Sequence, residues 1–171
     1  MSERKAVTIY TDGACLGNPG PGGYGAVVLA EDQRHELSGG FRRTTNNRME
    51  LMAAIEALKA LKEPGDVLLH SDSQYLVKAM EQGWAQRWRA NGWMRTARER
   101  AVNPDLWKQL LDLFEQHQVR FAWVQGHAGN PENERCDRLS VQAARAKHLA
   151  IDEAFEQSTA HAPSLFDLSD T

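Results

Sequence analysis

Four acidic residues, Asp12, Glu50, Asp72 and Asp137, stand where a carboxylate has little local reason to be. Asp12 closes the apolar run Val7-Thr8-Ile9-Tyr10, and Asp72 closes Val67-Leu68-Leu69-His70, so both read as residues leaving the end of a buried strand. Strand ends at a sheet edge are where ligand sites form. Glu50 lies among Met49, Leu51, Met52, Ile55 and Leu58, apolar residues at helical spacing, and Asp137 follows Cys136 in another helix-like stretch. Carboxylates brought together raise one another's pKa unless a cation neutralises them, so convergence of these four implies a bound divalent ion. The chemistry such a cage suits is hydrolysis of a phosphodiester. Taken singly, each acid also has an ordinary reading. Asp12 before Gly13 fits a turn, Asp72 before Ser73 fits a helix N-cap, and Glu50 and Asp137 fit partly exposed helix acids.

The elements that must carry these acids follow from periodicity and turn residues. Residues 6–12 read as a strand, 13–23 as a loop dense in Gly, Asn and Pro, and 24–30 and 34–41 as two further strands with a short turn between them, an antiparallel meander. Residues 47–62 are helical by pattern and stop ahead of Pro64-Gly65. A strand over 66–71, a helix over 73–82, a helix over 105–116 opened by Asn103-Pro104, a strand over 119–124 and a helix over 131–147 follow. This order predicts an α/β fold, a mixed five-stranded sheet covered by helices, with three antiparallel strands and then two parallel ones.

A chain of 171 residues, 42% hydrophobic and 25% charged, suits one soluble domain. The apolar run after Met1-Ser2-Glu3-Arg4-Lys5 is too short for a signal segment, and nothing approaches the roughly 20 apolar residues of a membrane span, so a cytoplasmic protein is expected. Cys15 and Cys136 form neither a metal-binding pair nor a disulfide framework and are expected as thiols. The net charge of −3 is unevenly spread: five of the 23 acids fall in residues 148–171, which hold no Lys or Arg, leaving residues 1–147 with 18 acids against all 20 basic side chains. The body is therefore mildly basic, and more so once a metal neutralises its four caged acids. Residues 148–171 are expected as an acidic, disordered extension beyond a domain spanning 1–147. Its Leu165-Phe166-Asp167-Leu168 cluster is similar to peptides that dock on replication sliding clamps, the alternative being a plain terminus.

Four segments read together resemble type 1 ribonuclease H, bacterial form: Tyr10-Thr11-Asp12-Gly13-Ala14-Cys15-Leu16-Gly17-Asn18-Pro19-Gly20, Thr44-Thr45-Asn46-Asn47-Arg48-Met49-Glu50-Leu51, His70-Ser71-Asp72-Ser73-Gln74-Tyr75, and Gly126-His127-Ala128-Gly129-Asn130-Pro131 through Asp137. The resemblance covers about residues 5–147 and implies the ribonuclease-H-like fold. It further implies an endonuclease that hydrolyses the RNA strand of RNA/DNA hybrids with two Mg²⁺ ions, for which Mn²⁺ can substitute, leaving 5′-phosphate and 3′-hydroxyl ends. On the same resemblance Asp12 bridges both ions, Glu50 and Asp72 complete the hydrolytic side, Asp137 holds the other ion, and His127 assists in an auxiliary role. A monomer is the default.

Such an enzyme must tell RNA from DNA, and the 2′-hydroxyl marks the difference. Cys15, Asn18, Asn46, Asn47 and Gln74 occupy the matching motif positions for that contact, although Asn18 and Asn46 also fit as loop and cap residues. Thr45 and Asn46 can grip a phosphate of the DNA strand, with Arg48 in support. Residues 84–100 hold Trp84, Trp88 and Trp93 among Arg87, Arg89, Arg95, Arg98 and Arg100, with Glu99 as their one acid. Cations interleaved with aromatics fit a nucleic-acid handle, with Trp84, Arg87 and Arg89 as contacts, while Trp88 or Trp93 can serve the core. His70 is expected to pack. Two other readings are a DNA-directed nuclease of the same fold, which would not need the ribose-reading loop, and a non-catalytic hybrid-binding module, against which the four acids argue.

Overall fold

The structure, a computed structural model, describes residues 4–161. The Leu165-Phe166-Asp167-Leu168 cluster and its docking role lie outside the described residues. Strands β1 (Lys5–Cys15), β2 (Gly20–Ala30) and β3 (Gln33–Thr44) form an antiparallel meander. Strand β4 (Gly65–Ser71) then pairs parallel with β1, and β5 (Gln118–Trp123) parallel with β4, giving the order β3-β2-β1-β4-β5. The expected mixed five-stranded sheet is the one that forms. Around it lie α1 (Asn46–Lys59), α2 (Gln74–Glu81), α3 (Trp84–Ala90), α4 (Pro104–Gln116), α5 (Pro131–Ala144) and α6 (Glu153–His161).

Strand alternation divides the core. Val7, Ile9, Val28, Val67, Leu69, Val119 and Phe121 meet Leu51, Ile55 and Leu58 of α1, Leu76 of α2 and Leu106, Trp107 and Leu110 of α4. Each such side chain stabilises by about 1.5–3 kcal/mol when buried. Trp107 is wholly buried, its indole N–H donating to the Tyr75 hydroxyl at 3.0 Å. On the other face α5 covers a smaller cluster of Val27, Cys136 and Leu139 with Tyr10 and Leu29. There the helix backbone nearly touches the sheet: a Cβ on Gly23 would fall 2.3 Å from the Ser140 carbonyl oxygen, and one on Gly25 would fall 2.5 Å from that of Cys136.

Two expectations need correction. The strand ending at Asp12 in fact continues to Cys15, with Asp12 opposite Gly25 and Cys15 opposite Gly22, so Asp12 is not a turn residue. The glycines read as loop formers instead supply a side-chain-free partner strand, and the connecting loop shrinks to residues 16–19. The second concerns residues 149–161, which pack against the domain instead of coming loose. Ala150 forms a parallel bridge with Phe41, the Arg42 N–H donates to the Ala150 carbonyl at 2.9 Å, and Asp152 is only 4% exposed before α6 begins. Arg48 neutralises Asp152, and Arg42 pairs with Glu156, so two of the acids that made this stretch look unstructured are groups that hold it. Among the described residues no helix is long and apolar enough to cross a membrane.

Candidate active site

Three of the four acids converge. Asp12 of β1, Glu50 of α1 and Asp72 immediately after β4 each place a carboxylate oxygen within 4.8 Å of the others. Glu50 is delivered by two local features. Thr45 caps α1, its hydroxyl accepting the Arg48 N–H at 3.2 Å, and Gly13 lets the helix lie directly on β1, since a Cβ there would fall 2.5 Å from the Glu50 nitrogen. Asp72 is not the cap of α2. Ser73 takes that role, accepting the Leu76 N–H at 3.1 Å, so the Asp72 carboxylate is not spent on the cap. The Trp123 indole N–H donates to the Asp72 carbonyl at 3.2 Å, and Gly126 backs the carboxylate so closely that a Cβ would fall 2.7 Å from Oδ2. Gly13, Gly126 and Trp123 were missed as site builders from sequence. The close packing they serve is visible only in three dimensions.

The electrostatics are those of a cage that needs a cation. Burial and then the Asp72 charge push Asp12 up to about 8, with its bond from the Gly13 N–H opposing. Glu50 is raised well above the ordinary carboxylate range, by burial first and then by Asp12 and Asp72. Asp72 is raised chiefly by burial and also by Asp137, with its bond to Asp12 and the nearby His127 opposing. Asp137 stands half-buried outside the tight trio, yet its charge acts on all three members. Glu50 Oε2 is buried without a hydrogen-bond partner, which costs free energy unless something positive binds it. Carboxylate oxygens of this kind fit a hard divalent ion such as Mg²⁺ or Mn²⁺.

The other expected contacts lie on two rims. Asn18 and Asn46 join the glycine loop to α1, the Asn18 side-chain oxygen accepting the Asn46 N–H at 3.1 Å. The Cys15 thiol is occupied, donating to the Gly20 and Thr44 carbonyls at 3.4 Å. Asn47 and Gln74 are exposed, Thr45 is half-buried, and His127 sits in an exposed loop with a left-handed φ of 57°. Along the handle, Trp84, Arg87 and Trp88 line a cavity of about 500 Å³ together with Tyr75. Trp84, Trp88 and Trp93 all pack partly on the core, Trp88 meeting Trp107 edge-on. Arg89 departs from expectation. Its guanidinium turns to α4 and pairs with Asp112 at 2.9 Å and Glu115 at 3.3 Å, so two carboxylates satisfy the charge meant for a phosphate. His70 stacks on Tyr10 at 4.4 Å, a packing role as expected.

The family model described as RNase H matches residues 4–145. Ribonuclease H of Syntrophus aciditrophicus (strain SB) is 62% identical over 152 residues, which is 89% of this chain and 88% of the relative. Among solved structures, LC9-RNase H1, a type 1 RNase H with the type 2 active-site motif, is similar with a TM-score of 0.77 at 30% identity, covering 99% of this chain and 86% of that one. LC11-RNase H1, solved in complex with an RNA/DNA hybrid, gives a TM-score of 0.59 at 25% identity over 87% of this chain and 99% of that one.

Proposed function

Because this chain belongs to the ribonuclease H family, we propose that the acidic cage is the centre at which it hydrolyses the RNA strand of RNA/DNA hybrids. The observation that carries the assignment is the meeting of Asp12, Glu50 and Asp72 within 4.8 Å around a buried Glu50 oxygen that lacks a partner. The reaction adds water to a backbone phosphorus and releases the 3′ oxygen, so the products carry 5′-phosphate and 3′-hydroxyl ends. Asp12, Glu50 and Asp72 would hold one Mg²⁺ or Mn²⁺, and Asp12 with Asp137 a second. Bound divalent ions supply Lewis-acid stabilisation of the phosphoryl oxygens and a water of lowered pKa.

The protein's own groups do the rest. Burial keeps bulk water from competing for the carboxylates, and the Gly13 N–H holds Asp12 Oδ1 at 2.9 Å in a fixed direction. His127, in its exposed loop beside Asp72, gives a proton to the leaving 3′ oxygen. Asn18, Asn46, Asn47, Cys15 and Gln74 face the ribose edge, Thr45 with Asn46 the DNA-strand phosphate, and Trp84 with Arg87 the flanking duplex. All these groups come from one chain, which fits a monomer. Matched RNA/DNA hybrid, duplex DNA and duplex RNA, each incubated with Mg²⁺, test the proposal. RNA-strand cleavage of the hybrid alone is expected, and equal cleavage of DNA would sink it.

A further inference from the structure

The stretch after α5 reaches back to the edge of the candidate site through one buried carboxylate. Asp152 Oδ2 accepts from Arg48 Nε and from the Thr44 hydroxyl, both at 2.7 Å, and its Oδ1 accepts from Arg48 at 2.9 Å. Arg48 is itself nearly inaccessible, its side chain 4% exposed, and its far side is held by Asp105 at 2.7 and 2.9 Å and by Asn103 at 3.2 Å. The Phe155 ring lies 5.9 Å from the guanidinium, and Ala150 bonds to both Gly40 and Arg42 on β3. Asp152 thus grips the two residues, Thr44 and Arg48, that bracket Thr45, Asn46 and Asn47. Those three form a lip where β3 passes into the first turn of α1, with Asn47 three positions ahead of the metal-binding Glu50.

We infer that Asp152 is a positioning residue for substrate binding: through Arg48 and Thr44 it fixes the Thr45–Asn47 lip in the geometry that receives the DNA-strand phosphate and the ribose edge. A lip at the junction of a strand and a helix has two hinges, and Asp152 holds both. With the charge at 152 removed, Arg48 keeps only Asp105 as an anionic partner and can lean towards α4, taking the first turn of α1 with it. A small displacement of positioning groups weakens binding far more than it disturbs the fold. Residues 149–161 therefore serve the site as well as the domain's stability.

The inference rests on the reading of Thr45 and Asn46 as substrate contacts, and the test separates the two. Steady-state kinetics on a defined RNA/DNA hybrid with Mg²⁺ compare wild type, Asp152→Asn, Thr44→Val, Asn46→Ala and the double variant Asp152→Asn/Asn46→Ala, at a temperature where circular dichroism shows each one folded. Asp152→Asn should raise KM by about three- to tenfold with kcat within about twofold of wild type, because binding is lost and the reacting centre is not. Thr44→Val should move KM the same way by less, and the double variant should bind little worse than Asn46→Ala alone, since both changes act through one lip. An unchanged KM in Asp152→Asn beside a raised KM in Asn46→Ala would overturn the positioning role and leave the site reading intact. An unchanged KM in Asn46→Ala would overturn that reading and the inference with it. Should Asp152→Asn melt below the assay temperature, Thr44→Val, which loses a single hydroxyl, decides the question by the same KM.

Discussion

Gly13 lies against the main chain of Glu50, and a Cβ added to it would fall 2.5 Å from the Glu50 nitrogen and 2.6 Å from the Met49 carbonyl carbon. Neither neighbour is a flexible side chain that could give way. The contact is what lets a helix acid and a strand acid share one cavity. Gly13→Ala must push α1 off β1, and overpacking of this kind costs about 1–3 kcal/mol. Turnover should fall by at least about tenfold at saturating hybrid, because the shift separates Glu50 from Asp12. Urea melts and single-turnover rates read the two effects, and a stable variant with full activity would contradict the packing argument.

Asp12→Asn should cut turnover by about three orders of magnitude or more while leaving the fold intact. In the metal-free protein at about pH 8 the same change should stabilise by on the order of 1 kcal/mol, because it removes a buried charge that repels Asp72. Activity near wild type would refute the assignment of Asp12 as a ligand.

The stability of the metal-free protein should depend on pH with a definite sign. Folded Asp12 holds its proton up to about 8 against an ordinary value of 3.8, and Glu50 and Asp72 are shifted the same way. The folded state therefore binds more protons than the unfolded chain across that window, and stability falls as pH rises through it. A divalent ion competes with those protons, so the rise in Tm on adding Mg²⁺ to chelator-treated protein should be larger at about pH 8 than at about pH 5.5. Equal increments would place the ion elsewhere.

Arg87→Ala and Arg89→Ala should part company. Arg87 is exposed beside Trp84 at the handle cavity, so its loss should raise KM and reduce the salt slope of hybrid binding by about 1. Arg89 is committed to Asp112 and Glu115, so its loss should leave the slope alone and cost at most about 1 kcal/mol of stability, as partly exposed pairs do. Binding titrations across a salt series distinguish them, and identical slopes for the two variants would count against the geometry of the handle.

His127→Ala should slow turnover by about a hundredfold without abolishing it, the low end of what loss of one proton-transfer group costs when the acids remain. A leaving group of lower pKa, such as a phosphorothiolate at the 3′ position, should restore much of the rate. Failure of that rescue would remove His127 from the role of acid.

The sheet and its acids were legible because alternating apolar runs with an acid at their close are local signals, and Asp12, Glu50 and Asp72 meet as those signals implied. Local pattern misled where partners lie far apart in sequence. The Gly22–Gly23 pair reads as a loop until β1 is set beside it, and Asp152 reads as surface acid until Arg48, 104 positions earlier, is seen to face it. Arg89 shows the converse: cations among tryptophans suggest a phosphate contact, and the pattern gives no sign that α4 offers Asp112 and Glu115 to the same guanidinium. The full range of α6 was equally hidden, since its docking depends on β3 and on Arg42 rather than on an apolar stripe of its own.

The glycines under α5 bear on how this enzyme can diverge. At Gly23 and Gly25 the helix rests main chain on main chain, with no layer of side chains between. A hydrophobic layer can be repacked by compensating exchanges, whereas a backbone contact offers evolution nothing to trade. Asp137 rides on that helix, so its height above the sheet is set in part by these backbone contacts. The interior beneath α1 can be repacked by compensating exchanges away from Gly13, but any side chain at Gly23 or Gly25 would lift α5 off the sheet and carry the fourth acid with it.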